Sequence, residues 1–210
     1  ASTLPIALAT MHNAIVTIGN FTKGQTILIQ GASSGVGLMG LQIAKSLEAK
    51  LVIGTSTKPE KFDKLKSIGA DLVLNSKDKD WVDQVLQSTN NEGVDLIIDQ
   101  LSGYTINENM KASKVKGTIV NVGRLAGGKA EFNCDIHALR RINYRGVTFR
   151  TRSKNEIRDV YSKMWTDLSD LVTRGNLSLP IDKIFEFNDV VDALSCMRGN
   201  QHFGKLILKV

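Results

Sequence analysis

Two kinds of apolar pattern alternate along this chain. Compact runs of leucine and β-branched residues at positions 26–30, 51–55, 72–75, 93–99 and 117–122 have the make-up of strands buried on both faces. Between them lie stretches in which apolar residues recur every third or fourth position, the spacing of a helix with one covered side. These fall at 38–47, 59–68, 79–88, 105–112 and 136–142, with an apolar helix at 5–18 ahead of the first strand and a long one at 156–172 behind the last. Pro59 stands where a first helical turn accepts proline, and Gly69 where a helix closes. A sixth strand is expected at Gly146-Val147-Thr148-Phe149-Arg150. Strands alternating with helices give an α/β fold, a doubly wound parallel sheet of six strands with helices on both faces. The tail breaks the rhythm. Leu179-Pro180 interrupts it, and a strand at 184–187, a helix at 189–197 capped by Asn188 and a strand at 206–208 follow. This last part reads either as an extension of the sheet or as a return into a separate domain.

The first strand runs directly into Gly31-Ala32-Ser33-Ser34-Gly35-Val36-Gly37 and then into a helix. Strand, glycine-rich turn and helix start bring backbone N–H groups and a helix N-terminus to one point, which suits a pyrophosphate. Ala32 and Ser34 stand where two glycines of the dinucleotide fingerprint would be, and Gly37 keeps the third place. The second strand arrives after one helix of ordinary length, the size of a right-handed Rossmann crossover. Ser33 and Ser34 carry no His and Asp pattern for nucleophilic catalysis, so they read as phosphate donors beside Gly35 and Val36. Downstream of the second strand, Gly54-Thr55-Ser56-Thr57-Lys58 holds no acid before Glu60. An NAD site places Asp or Glu there for the ribose hydroxyls. Without it a 2′-phosphate is not repelled, and Thr55, Ser56 and Thr57 form a polar strip beside it, which points to NADPH.

Composition narrows the classes. The 210 residues are 42% hydrophobic and 23% charged, enough to bury a sizeable core. No run approaches the ~18 apolar residues of a membrane helix, and the start lacks a signal-peptide plan, so a cytoplasmic protein without membrane contact is expected. Two cysteines suggest no disulfide framework. The net charge of +6 comes from lysines and arginines scattered singly and in pairs, with two tryptophans and three tyrosines available for stacking. That is a solvated basic surface attractive to an anionic cofactor and not a nucleic-acid patch. Cys134 and His137 lie three apart, but His12, Cys196 and His202 supply no second pair at ligand spacing, so no metal is expected. The chain opens at Ala1 in what reads as a helix already under way, as a piece of a longer protein would.

Leu4-Pro5 with Thr10, the 31–37 turn, Lys61 with Gly69-Ala70-Asp71, Gly93-Val94-Asp95, Gly117 with Val122-Gly123, and Gly204-Lys205-Leu206-Ile207-Leu208 occur in one order over nearly all of the chain. Together these blocks resemble the medium-chain dehydrogenase/reductase superfamily, and within it the zinc-independent, NADPH-dependent quinone oxidoreductases. The resemblance implies that a GroES-like substrate domain precedes residue 1, that 1–180 form the NADP-binding domain with its entry helix, and that 181–210 belong to or pack on the absent domain. It also implies roles for single residues. Lys61 matches a lysine used for the 2′-phosphate, Thr10 a threonine near the nicotinamide, and His202 a position that touches the cofactor. Ser76 stands where the family often has a tyrosine, which weakens that part of the adenosine clamp. Gly123 ends the fifth strand at the sheet's carboxyl edge, where ligands bind, and Arg124 beside it meets either a phosphate or solvent.

The short-chain reductases share the Gly31-x-x-x-Gly35-x-Gly37 spacing but need a Tyr-x-x-x-Lys pair, and Tyr104, Tyr144 and Tyr161 are followed four on by Glu108, Thr148 and Trp165. The expected activity is hydride transfer from NADPH to a quinone or enone. A non-catalytic nucleotide sensor and an enoyl-reductase module of a larger synthase are the alternatives. By resemblance, two copies are expected to pair through the strand Gly146-Val147-Thr148-Phe149-Arg150 into a homodimer.

Overall fold

The computed structural model describes residues 2–199 and 202–210. Six parallel strands form one sheet: β1 (Thr26–Ile29), β2 (Leu51–Thr55), β3 (Leu72–Leu74), β4 (Val94–Asp99), β5 (Ser113–Asn121) and β6 (Asn143–Gly146), in spatial order β3-β2-β1-β4-β5-β6. The order reverses between β1 and β4, so the carboxyl ends of these two neighbours open a crevice at the switch point. Side chains along each strand alternate between two cores. Ile27, Ile29, Val52, Ile98 and Val120 face the layer of α1 (Pro5–His12), α2 (Gly35–Ser46), α3 (Phe62–Ile68) and α7 (Lys154–Thr173). Leu28, Ile53, Ile97 and Ile119 face α4 (Trp81–Ser88), α5 (Ile106–Ala112) and α6 (Cys134–Arg140). Both faces are thus covered, which is why these strands carry unbroken apolar runs.

The 5–18 helix changes winding after His12 and continues as a π-helical segment, Asn13–Ile18, closed by Gly19 N–H on the Ala14 carbonyl at 2.9 Å. The segment 181–210 does not join the large sheet. Its strands β7 (Ile181–Glu186) and β8 (Lys205–Lys209) pair parallel with each other, with α8 (Val190–Arg198) between them. Asn188 does not cap α8. It lies in a short 3₁₀ turn, Phe187–Asp189, and Asp189 takes the cap position without a side-chain bond.

The sixth strand differs most from its expected place, lying at Asn143–Gly146 and not at Gly146-Val147-Thr148-Phe149-Arg150. β5 pairs with β6 from Thr118↔Asn143 to Asn121↔Gly146 and then leaves the sheet. One further bond, Val147 N–H to the Asn121 carbonyl at 3.0 Å, ends the ladder. With no neighbour left to pair with, Thr148-Phe149-Arg150 turn back despite their strand propensity, Arg152 Nε donating to the Thr148 carbonyl. The expected dimer strand is therefore not a strand at 148–150, and the edge of the sheet on this side is Asn143–Gly146.

At the start of α2, Gly37 lies against the preceding turn so closely that a Cβ would stand 2.7 Å from Ala32 Cα, Ala32 O and Gly31 O. All three contacts are backbone and cannot step aside. Gly37→Ala is expected to lower the unfolding free energy by about 1–3 kcal/mol, read from urea denaturation, as overpacking does in a close-packed core.

Candidate functional site

Two cavities lie at the carboxyl edge of the sheet and share Ser34 and Leu125 as lining residues. One, of about 290 Å³, is lined by Gly31, Ser33, Thr55, Ser56, Thr57 and Ser76 on one side and by Leu101 and Tyr104 on the other. The second, of about 530 Å³, is lined by Thr10, Gly35, Val36, Gln100, Gly123 and His202. Eleven of the thirteen residues singled out from the sequence therefore line one elongated cleft with the α2 N-terminus at its middle. Lys61 and Arg124 line neither cavity; Arg124 is exposed.

The turn is held by side chains expected to meet a ligand. Ser34 is the N-cap of α2, accepting from Gly37 N–H at 3.0 Å while its hydroxyl donates to Gln100 Oε1 at 2.9 Å. Its proton is already engaged. Gly31, at φ +67°, places its N–H on Thr55 Oγ1, and Thr55 donates in turn to Gln30 Oε1 at 2.6 Å. Gln30 then binds Asn109 at 2.7 Å in a buried chain. Ser34 and Thr55 thus shape the cradle, and Ser33, Gly35 and Val36 offer the groups that can face an anion at the helix start. Gly35 has no side chain to spare: Lys205 crosses over it, and a Cβ there would meet Lys205 Cε at 2.8 Å and Nζ at 3.3 Å. That places a cation beside the positive end of α2, where both favour an anion.

At the far end, Ser56 and Ser76 are buried, and Ser76 Oγ lies 3.2 Å from Tyr104 OH. Lys77, beside Ser76, lines the same cavity. Lys61 is only 4% exposed, and its Nζ donates to the His202 carbonyl at 2.8 Å. Desolvation by burial pulls its pKa below the usual lysine range, with Glu60 opposing. In this structure Lys61 ties the C-terminal segment to the start of α3, which sequence spacing could not reveal. A second tie is the bridge between Ser34 and Gly204.

Beneath the cleft lies Asp99 at the end of β4, fully buried, with Oδ2 lacking a hydrogen-bond partner. Burial pushes its carboxyl above the ordinary range, against the pull of the Ser102 and Leu101 amides and of Asn121 and Asn109.

Residues the sequence reading missed are Lys77, Gln100, Leu101, Tyr104, Leu125 and Lys205. The signal for most was positional: they follow the carboxyl ends of strands β3, β4 and β5, where a parallel sheet gathers its ligand contacts.

A family model described as zinc-binding dehydrogenase matches residues 35–167. The chain belongs to this family, within the medium-chain dehydrogenase/reductase superfamily. This dehydrogenase/reductase domain is the cofactor-binding portion of such oxidoreductases, whose cofactor is a pyridine nucleotide. The chain is similar to a low-reducing polyketide synthase, drtA, of Aspergillus calidoustus, 27% identical over 99% of this chain and 9% of the synthase. Among solved structures it resembles the CurF ER cyclopropanase of the curacin A biosynthetic pathway, at 27% identity and TM-score 0.83 over 99% of this chain and 61% of that one. A quinone oxidoreductase of Pseudomonas syringae shares the fold, with TM-score 0.87 at 23% identity over 100% of this chain and 64% of that one. The chain thus spans under two thirds of each of these proteins. The zinc in the family's description finds no fit here: among the described residues no three His, Cys, Asp or Glu side chains lie together to hold a metal ion. A pyridine nucleotide does fit, since the cleft offers a helix start, a cation over it and a polar far end.

Separating cap from ligand group gives a direct check. Ser34→Ala is expected to cost about 1 kcal/mol of stability in urea unfolding, the usual worth of an N-cap. Ser33→Ala is expected to stay within about 0.5 kcal/mol of wild type, as a change away from caps and core does.

Proposed function

We propose that this domain binds NADPH and serves a reductase acting on an electron-poor acceptor, an enone or a quinone. The observation that carries the reading is the cleft itself, with a helix N-terminus and Lys205 at its centre and Ser56, Thr57 and Lys77 lining its far end, where no acid stands between β2 and Glu60. When bound, a reduced nicotinamide supplies a hydride from C4 to the acceptor. The chain's own residues do the rest. The 31–37 turn and α2 N–H groups hold the pyrophosphate. Ser56, Thr57 and Lys77 face the 2′-phosphate end, where no acid follows β2 to claim the ribose hydroxyls. Lys61 reaches that end only by exchanging its bond to the His202 carbonyl for a phosphate oxygen. Leu101 and Tyr104 give the adenine an apolar wall. Thr10, Val36, Gly123 and His202 close round the nicotinamide end, positioning the ring and shedding water.

A second reading is favoured by a specific observation: the similarity to polyketide synthases, of which the chain spans about a tenth, supports an enoyl-reductase module acting on an α,β-unsaturated acyl group. Both readings share the same hydride chemistry and differ in the acceptor. In either, a further domain covers the apolar side chains that the C-terminal segment exposes, Ile184, Phe187, Val191 and Met197. The sheet edge Asn143–Gly146 is the surface through which two copies pair, and light scattering showing a monomer at high micromolar concentration would remove that part of the reading.

Calorimetric titration is expected to show NADPH bound more tightly than NADH by about tenfold or more, the worth of charge-assisted bonds to a phosphate. Lys77→Glu is expected to erase most of that preference while leaving NADH binding nearly unchanged. Equal affinities in the wild type would overturn the assignment of NADPH.

A further inference from the structure

Two loops wall the nucleotide cleft, the one after β4 (residues 100–104) and the one after β5 (residues 122–127). Leu101 and Tyr104 come from the first, and Gly123, Leu125 and Ala126 from the second. They are zipped together by Leu125 N–H on the Gln100 carbonyl at 3.1 Å and Ala126 N–H on the Leu101 carbonyl at 2.9 Å. The approach is close enough that a Cβ on Gly103 would stand 2.3 Å from Ala126 O. At the root of both loops sits Asp99. Its carbonyl accepts Val122 N–H and Gly123 N–H at 2.8 and 3.2 Å, and its Oδ1 accepts Leu101 N–H and Ser102 N–H at 2.9 Å each.

Ser102 is the strained link. It lies at φ +56°, ψ −146°, close to a region that glycine alone visits readily. From there its hydroxyl donates to the Gly123 carbonyl at 2.8 Å and accepts from Asn121 Nδ2 at 2.5 Å, while its carbonyl accepts from Thr105 Oγ1 at 2.9 Å. A serine held in this way joins the two walls at one point. The Asp99 carboxyl accepts two amides of the loop it roots, and the side chain is fully buried.

We propose that Asp99 is a positioning residue for the nucleotide: its carboxyl oxygen holds Ser102 in an unfavoured backbone conformation and, through Ser102, sets the spacing of both cleft walls. The role requires an acceptor at Oδ1 and does not require the negative charge. It rests on the cleft being a nucleotide site, and it goes beyond that reading by naming a buried group that tunes affinity without touching ligand.

The test compares Asp99→Ala with Asp99→Asn in the 210-residue chain, with NADPH and NADH as probes and hydrogen exchange read without nucleotide. Asp99→Ala is expected to weaken both nucleotides about tenfold, whereas Asp99→Asn, which keeps the Oδ1 acceptor, stays within about twofold of wild type. Amides of 100–104 and 122–127 are expected to exchange faster in Asp99→Ala while the strands keep their protection. A folded Asp99→Ala that binds as wild type, or one with weakened binding but unchanged loop exchange, overturns the proposal. Should Asp99→Ala fail to fold, Ser102→Ala decides, since it removes only the hydroxyl joining the walls: weaker binding with faster loop exchange supports the proposal, and no change overturns it. Should the wild type bind neither nucleotide, the functional reading falls, and loop exchange alone judges Asp99, unchanged protection in Asp99→Ala overturning its positioning role.

Discussion

Everything in this domain is arranged around the contact between Gly37 and the turn it folds back on. Because α2 sits against Gly31 and Ala32 with no room for a side chain, its first N–H groups emerge at the carboxyl end of β1, between the diverging strands β2 and β4. The turn is built to hold that position and not only to meet a ligand. Ser34 caps the helix and Thr55 takes the Gly31 N–H; Thr55 is anchored by Gln30, whose amide donates to buried Asn109, and Ser34 by Gln100, whose amide donates to the Gln30 carbonyl. A helix start held in this way presents its N–H groups already oriented, as anion binding by a helix N-terminus requires.

The C-terminal segment closes over the same point from the other side. Gly204 bridges to Ser34, Lys205 lies across Gly35, and Lys61 reaches back to the His202 carbonyl. A segment that belongs in sequence to the far end of the chain therefore completes the centre of the cleft. Its outward face is apolar and open, whereas its inward face, with Phe203, is part of the main core.

Positive charge is divided between tasks. Lys61 is buried, and that desolvation lowers its readiness to carry a proton even as its ammonium donates to the His202 carbonyl, while Lys77 is exposed at the rim of the smaller cavity. An exposed lysine keeps its hydration until a phosphate arrives, and a buried one must exchange one partner for another. On the NADPH reading proposed above, the two meet a 2′-phosphate at different costs, and Lys77 does so without giving up a bond to the C-terminal segment.

Local pattern determined much of this. Apolar runs placed five of the six strands of the sheet, because a strand covered on both faces can hardly be written otherwise, and the glycine-rich turn located the cleft, because strand, turn and helix start are contiguous in the chain. Tertiary structure decided the rest. Val147-Thr148-Phe149 has the composition of a strand, but β5 leaves the sheet at Asn121, so the residues that pair are the less strand-like Asn143–Gly146. The functions of Ser34, Thr55 and Lys61 turned on partners 24 to 141 positions away, which no local pattern encodes. Lys77, Tyr104 and Lys205 joined the cleft because their loops converge at one edge of a parallel sheet. Periodicity records which face of an element is buried; only the packed chain records which loops meet.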